Sequence, residues 1–194
     1  DLRAVIDTVV KFTLSGSRSR YFIVTDDDLW QTEADEGQVG QVIQNIVLNA
    51  DQAMPEGGRV EITVKNVRTP HNLPQSLQKG RYVEIAIKDS GIGIPEQYIS
   101  KIFDPYFTTK EKGSGLGLAT SYSIIKNHSG LIDVKSEVGR GSTFTIYLPA
   151  VTVGKKGEVA QSAISADAGL PGRVLIMDDE QIIRDVAGEL VKAL

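Results

Sequence analysis

Two hydrophobic periods take turns along the chain, and together they predict an α/β fold. Val39, Val42, Ile43, Ile46, Val47, Ala50 and Ala53 recur at 3.6-residue spacing and make one apolar stripe of a helix over residues 36–54. Residues 59–64, 82–88, 131–136 and 142–148 instead read as strands. Turn-forming clusters such as PEGG at 55–58 punctuate them.

Ahead of the main helix, Leu2, Val5, Ile6, Val9 and Val10 predict an amphipathic helix over residues 1–14, ending near Ser15 and Gly16. Residues 21–24 and 29–34 flank Asp26, Asp27 and Asp28 and read as a hairpin. The three aspartates read as a solvated turn rather than a metal site. Within the main helix, Asn45 and Asn49 share a face away from the apolar stripe. Asparagine is a poor helix former and ordinarily points to water there.

The strand over 59–64 buries one face, and residues 67–80, with Pro70 and Pro74, form a loop. The strand over 82–88 delivers Asp89 at its end, at a sheet edge. Pro95 opens a short helix running to about Phe103. Phe103, Tyr106 and Phe107 around Pro105 read as a hydrophobic plug. It anchors a loop, 108–113, that carries Lys110 and Lys112 and ends on glycine, as a mobile lid would. A helix over 116–127 stops at Gly130, and strands 131–136 and 142–148 close the sheet before Pro149.

Residues 1–150 therefore form one domain and residues 151–172, rich in Ala, Gly, Ser and Lys, a linker. Residues 173–194 read as a βα fragment: an apolar strand at 174–177, then Asp178, Asp179 and Glu180, then a helix. A lone βα unit cannot bury its own apolar surface and needs the rest of a domain. With no initial methionine and an end inside a helical pattern, the chain reads as a fragment of something longer.

Chemistry concentrates in residues 89–118. Gly91 and Gly93 after Asp89 can take positive φ and let backbone approach a ligand, while Asp89 supplies a fixed acceptor, a combination suited to a flat base with an exocyclic amine. Gly113, Gly115 and Gly117 lead straight into a helix, whose free N–H groups and positive dipole end suit a phosphate. Neither turn is GxxxxGK[ST], and GxGxxG fails because Glu96 and Leu118 stand at the third-glycine positions. Either turn alone also reads as a surface loop; their pairing favours a nucleotide.

Composition narrows the partners. The 194 residues are 41% hydrophobic and 24% charged, as in an ordinary soluble globular protein. A net charge of −4 offers no general basic surface for nucleic acid. The absence of cysteine removes disulfide and thiol chemistry and fits a reducing, cytoplasmic compartment. With no apolar run of eighteen residues, this piece is not expected to span a membrane, although a flanking part could.

Four motifs occur in order: QNIVLNA at 44–50, DSGIGIP at 89–95, FDPYF at 103–107 and GSGLGL at 113–118, followed by GRGSTFTIYLP at 139–149. Over about residues 1–150 they resemble the catalytic, ATP-binding domain of two-component sensor histidine kinases. Its wider relatives are the ATPase domains of DNA gyrase, mismatch-repair proteins and the large heat-shock chaperones. The resemblance implies a two-layer α/β sandwich with a mixed sheet, binding ATP and Mg2+ between helices and lid. It implies that Asp89 accepts the adenine amine, that Gly91 and Gly93 border the base, and that Ser142 lies near it. Asn49 would hold Mg2+ through its amide oxygen. Gly113, Gly115 and Gly117 would turn N–H groups to the phosphates, and Phe103, Phe107, Thr108, Thr109, Ser114, Leu116 and Leu118 fall within the same nucleotide-binding motifs. Lys110 or Lys112 would neutralise the transferred group.

Gyrase-like ATPases resemble one another in carrying a water-activating glutamate where this chain has Asn45, and an amide cannot act as a general base. The resemblance therefore implies slow hydrolysis and transfer of the γ-phosphate to a histidine on a separate dimerisation domain. His71, in a proline-flanked loop, and His128, at a helix end, read as structural or surface residues, so the acceptor is expected before residue 1. The tail RVLIMDDEQIIRD at 173–185 resembles the start of a receiver domain, with Asp178 and Asp179 as its Mg2+-binding acids, which implies a hybrid kinase. A receiver domain or response regulator is then the downstream partner. The alternatives are a nucleotide-sensing module without catalysis and a gyrase-like ATPase.

Overall fold

The computed structural model describes residues 1–68, 79–110 and 113–151, together with Met177 and Gln181. The chain divides into two compact units, Asp1–Val153 and Gly154–Leu194, and every element below belongs to the first.

Helices begin where an acid can cap them. Helix α1 (Leu2–Thr13) starts at Asp1, whose carboxylate accepts from the N–H groups of Arg3 and Ala4, and it buries Ile6 and Val10. Helix α2 (Glu36–Gln52) starts at Asp35, whose Oδ1 accepts from the Gln38 N–H at 2.7 Å. Its buried stripe, Val39, Gly40, Val42, Ile43, Ile46, Val47 and Ala50, is the one the 3.6-residue period marks out. A short helix α3 (Glu96–Ile99) and helix α4 (Gly117–Asn127) complete the set.

Five strands, β1 (Arg20–Thr25), β2 (Arg59–Arg68), β3 (Arg81–Asp89), β4 (Leu131–Glu137) and β5 (Gly141–Pro149), form one sheet in the order β1-β2-β3-β5-β4. β1 and β2 run parallel and the other pairs are antiparallel, so the sheet is mixed. α2 packs against α1 on one side and α4 on the other. Beneath them Ile62, Val64, Val83, Ile85, Ile87, Phe144, Ile146 and Leu148 bury one sheet face. The opposite face carries charges, including the Lys65–Glu84 pair at 3.0 Å. Helices cover a single face, which makes a two-layer α/β sandwich.

Three expectations change. Residues 29–34 do not pair with β1 as a hairpin; β1 lies beside β2 in parallel, and α2 is the crossover that such a pair requires. Asn66 on β2 holds the acidic turn in place. Its N–H donates to Asp26 Oδ2 at 3.0 Å, its Nδ2 donates to the Asp28 carbonyl at 2.6 Å, and its Oδ1 accepts from the Trp30 N–H at 2.9 Å. The segment then runs to β5's end, where Thr32 bridges Ala150 and the Val151 N–H donates to the Gln31 carbonyl at 2.7 Å. The helix after Pro95 is only one turn long, and successive turns carry the chain from Ser100 to Phe107. Finally, β3 is the central strand, so Asp89 sits at the end of the sheet's middle rather than at a lateral edge.

Ile43 is fully buried between the layers, so Ile43→Ala should cost about 2–5 kcal/mol of unfolding free energy. Urea titration should show this as a lowered midpoint with an unchanged slope.

Candidate functional site

β3 carries Asp89 to the end of the sheet's middle, where the residue is 3% exposed. Its Oδ1 accepts from the Gly91 N–H at 2.8 Å and from the Ser142 N–H at 3.2 Å. Burial pushes the carboxyl above its usual range, and these hydrogen bonds pull it partly back. Both backbone donors converge on one carboxylate oxygen.

The glycines around Asp89 answer to space as much as to φ. Gly91 does not take the positive φ expected of it; a Cβ there would stand 2.7 Å from the Ala53 carbonyl oxygen and 2.8 Å from Ala53 Cβ. Gly93 does, at φ +73°, and a Cβ would strike the Glu137 backbone. Gly141 was not a candidate, yet it sits at φ +94° with its missing side chain directed at the Asp89 carbonyl. The β4–β5 turn is thus pressed onto the turn after β3. The Gly139 N–H donates to the Ile92 carbonyl at 2.8 Å, and the Ile94 N–H donates to Ser136 Oγ at 2.7 Å. Ser136 Oγ in turn lies 2.9 Å from Ser142 Oγ. This contact brings Ser142 to Asp89; its sequence signal was the close pair Gly139 and Gly141, legible only as a turn.

The second glycine turn is anchored by FDPYF. Phe103 and Phe107 are partly buried against the core, with ring centroids 5.5 Å from Tyr122 and 5.6 Å from Tyr98 respectively. Tyr106 is not part of the plug. It is 76% exposed and takes φ +67°, a left-handed conformation uncommon outside glycine. Its N–H donates to the Gly115 carbonyl at 3.0 Å, and Gly115 itself needs φ +67° and a bare Cα against the Tyr106 backbone. Thr108 Oγ1 accepts from the Lys110 N–H at 3.1 Å. A Cβ on Gly113 would lie 2.5 Å from that same Thr108 oxygen. Thr109 and Ser114 are exposed, Leu118 packs on the core, and Leu116 stands at the helix entry. No side chain caps α4 there, so its first N–H groups keep their capacity for an anion.

Asn45 and Asn49 both face protein rather than simply water. Asn45 Nδ2 donates to the Gly117 carbonyl at 3.0 Å and to Ser121 Oγ at 3.2 Å. Ser121, fully buried, donates to the same Gly117 carbonyl at 2.8 Å. A carboxylate at position 45 could make neither of Asn45's donations. Asn49 Oδ1 accepts from Lys110 Nζ at 2.8 Å, and Gln52 Oε1 accepts from the same ammonium at 2.5 Å. Partial burial lowers the Lys110 pKa. Gln52 escaped sequence reasoning, although its position one turn beyond Asn49 was a signal.

Two amide oxygens converging on a cation are hard neutral donors, a fit for Mg2+, which keeps several waters and takes few protein ligands. Among the described residues no group of three or more His, Cys, Asp or Glu side chains could hold a metal ion. Lys112, His71, Asp178 and Asp179 lie outside the described residues. His128 is a latch: its Nδ1 donates to the Ile124 carbonyl at 2.8 Å, leaving Nε2 to accept from the Asp35 N–H at 3.1 Å. A separate cavity of about 580 Å³, bordered by Arg3, Asp26 and Trp30, shares no residue with this site. No helix among the described residues is long and apolar enough to cross a membrane.

A family described as histidine kinase-, DNA gyrase B- and HSP90-like ATPase matches residues 34–152. The chain is 40% identical over 169 residues to sensor kinase CckA of Brucella abortus, covering 81% of this chain and 18% of that protein. It is 36% identical over 152 residues to sensor histidine kinase ZraS of Escherichia coli K12, covering 77% of this chain and 30% of ZraS. The chain thus spans less than a third of these relatives. Among solved structures, the catalytic domain of histidine kinase ThkA superposes with a TM-score of 0.63 at 31% identity, covering 77% of this chain and 92% of that one. The mycobacterial sensor histidine kinase MprB gives 0.64 at 26%, covering 77% and 95%.

The raised Asp89 pKa has a stability consequence. The native carboxyl holds its proton more tightly than the unfolded chain, whose carboxyl titrates near 3.8, so this stabilisation is full below that pH and is lost as pH rises through the native value. At pH 7 the buried charge is a cost, and an asparagine oxygen can still accept from Gly91 and Ser142. Asp89→Asn should therefore melt no lower than the parent at pH 7, and any advantage should shrink as pH falls through the native Asp89 pKa, as read by calorimetry across pH.

Proposed function

Because this chain belongs to the family of histidine kinase-, DNA gyrase B- and HSP90-like ATPases, we propose that it is the catalytic, ATP-binding domain of a protein histidine kinase. The observation that carries the reading is Asn45. A residue whose amide donates to Gly117 and Ser121 has no basic atom to offer water, so the site favours transfer over hydrolysis.

Each remaining group has a role in that reading. With Asp89 Oδ1 engaged by two backbone N–H groups, the second oxygen is the acceptor for the adenine amine. A guanine would present an acceptor there and leave a buried carboxylate facing another lone pair, which gives selection against it. Gly91 and Gly93 keep the wall flat, and Ser142 closes it from β5. The uncapped N-terminus of α4 and the turn at Gly113, Gly115 and Gly117 hold the phosphates. Asn49 would hold Mg2+, which when bound supplies positive charge to the phosphate oxygens. Among the described residues, Lys110 is a lysine within reach of the same place. In the transfer the bond between the γ-phosphorus and the bridging oxygen breaks, ADP leaves with its electron pair, and a phosphorus–nitrogen bond forms to the acceptor histidine.

The histidine belongs to a dimerisation domain outside this chain, and a receiver domain or response regulator takes the phosphoryl group next. Residues 151–172 form the linker and residues 173–194 begin a receiver domain in which Asp178 and Asp179 contribute to a Mg2+ site. The names of CckA and ZraS, a sensor kinase and a sensor histidine kinase, support the kinase reading.

Mixing the domain with the histidine-bearing hairpin of its own protein and γ-labelled ATP should yield acid-labile, base-stable label on the hairpin. ATP binding without such label would favour the nucleotide-sensing alternative, and rapid phosphate release without an acceptor would favour the gyrase-like one. Asn49→Ala should weaken Mg·ATP binding at least tenfold while leaving far-UV circular dichroism unchanged. Asp89→Asn should weaken ATP and ADP alike, because the lost contact is to the base. Calorimetric titration of each nucleotide, with and without a chelator, checks both.

A further inference from the structure

Lys110 is tethered at two points that differ in kind. Its backbone N–H is held by Thr108 Oγ1 at 3.1 Å, on its own loop, while its ammonium reaches α2 and is gripped by Asn49 and Gln52. The side chain alone can therefore change partners without moving the loop's hydrogen bond. We propose that Gln52 is a positioning residue that, together with Asn49, parks the Lys110 ammonium in the cation seat of the site. Lys110 must then leave this seat before a divalent ion takes the Asn49 oxygen. The proposal rests on the reading of Asn49 as the metal-holding residue.

Charge and distance carry the argument. The ammonium lies 2.8 Å from Asn49 Oδ1, and Mg2+ would approach the same oxygen to about 2.0–2.1 Å, so the two cations would contend for one position. At such separations, in a partly buried site, like charges repel strongly. Occupation by lysine and by the ion are therefore alternatives. A charged donor on a neutral acceptor binds more firmly than a neutral pair but less than an ion pair. Gln52 accordingly gives a hold that a divalent ion arriving with phosphates can displace, after which Lys110 is free to turn to those phosphates. Leucine keeps much of glutamine's bulk and removes the acceptor, and because Gln52 is exposed the change leaves the core intact.

The test uses the whole chain as parent, Gln52→Leu, Lys110→Met and the double variant, with AMP-PNP as the nucleotide probe. In Gln52→Leu the Mg2+ concentration giving half-maximal AMP-PNP binding should fall about threefold or more. The same change in the Lys110→Met background should have no further effect, because Gln52 acts through Lys110. An unchanged Mg2+ requirement in Gln52→Leu, or an effect that persists without Lys110, would overturn this proposal alone. A parent that binds no AMP-PNP at any Mg2+ concentration would overturn the nucleotide reading and this proposal with it.

Discussion

The hydrogen bonds from Asn45 to the Gly117 carbonyl and Ser121 are the constraint on which the site depends. They join the middle of α2 to the first turn of α4, across 72 and 76 residues of chain, at the point where α4 offers uncapped N–H groups. This tie holds the N-terminal end of α4 close to Asn49, one turn further along α2. A Cβ on Gly117 would rest in ordinary van der Waals contact with Asn45, 3.5 Å from its Cγ, so the helices meet here through the amide hydrogen bonds and not through a need for glycine. An amide is the one side chain of this shape that can donate here, so architecture and the absence of a general base follow from the same atom.

The Asp89 end is built on a different principle, close backbone approach. Gly91 fits against Ala53 at the end of α2, Gly93 against Glu137, and Gly141 against Asp89 itself. Three glycines thus let α2, β3 and the β4–β5 turn meet around one buried carboxylate. Its burial is unfavourable for the charge, and the donors from Gly91 and Ser142 offset part of that. A buried carboxylate of this kind is a costly feature that points to a binding surface rather than to the needs of the fold.

Much of this could be read from residue patterns. The α2 stripe, the four principal strands, Asp89 at a strand's end and the glycine turn leading into α4 all follow from periods of 3.6 and 2 and from local turn chemistry. Other features were illegible for identifiable reasons. Residues 29–34 alternate like a strand, but Asn66, 36 residues away from Trp30, decides their course. Gly141 looks like any turn glycine until the Asp89 backbone is beside it. Tyr106 looks like a third ring of the plug, yet its backbone conformation turns it outward.

The sequence by itself determined the principal helices and strands and which of their faces are apolar, because those properties depend on neighbours within a few residues. Only the tertiary structure decided the strand order β1-β2-β3-β5-β4, the parallel pairing of β1, the partners of Asn45, and the meeting of Lys110 with Asn49 and Gln52. Those depend on which apolar faces close on one another, a choice between surfaces far apart in the chain. A local period shows that a face must be covered and leaves open by what.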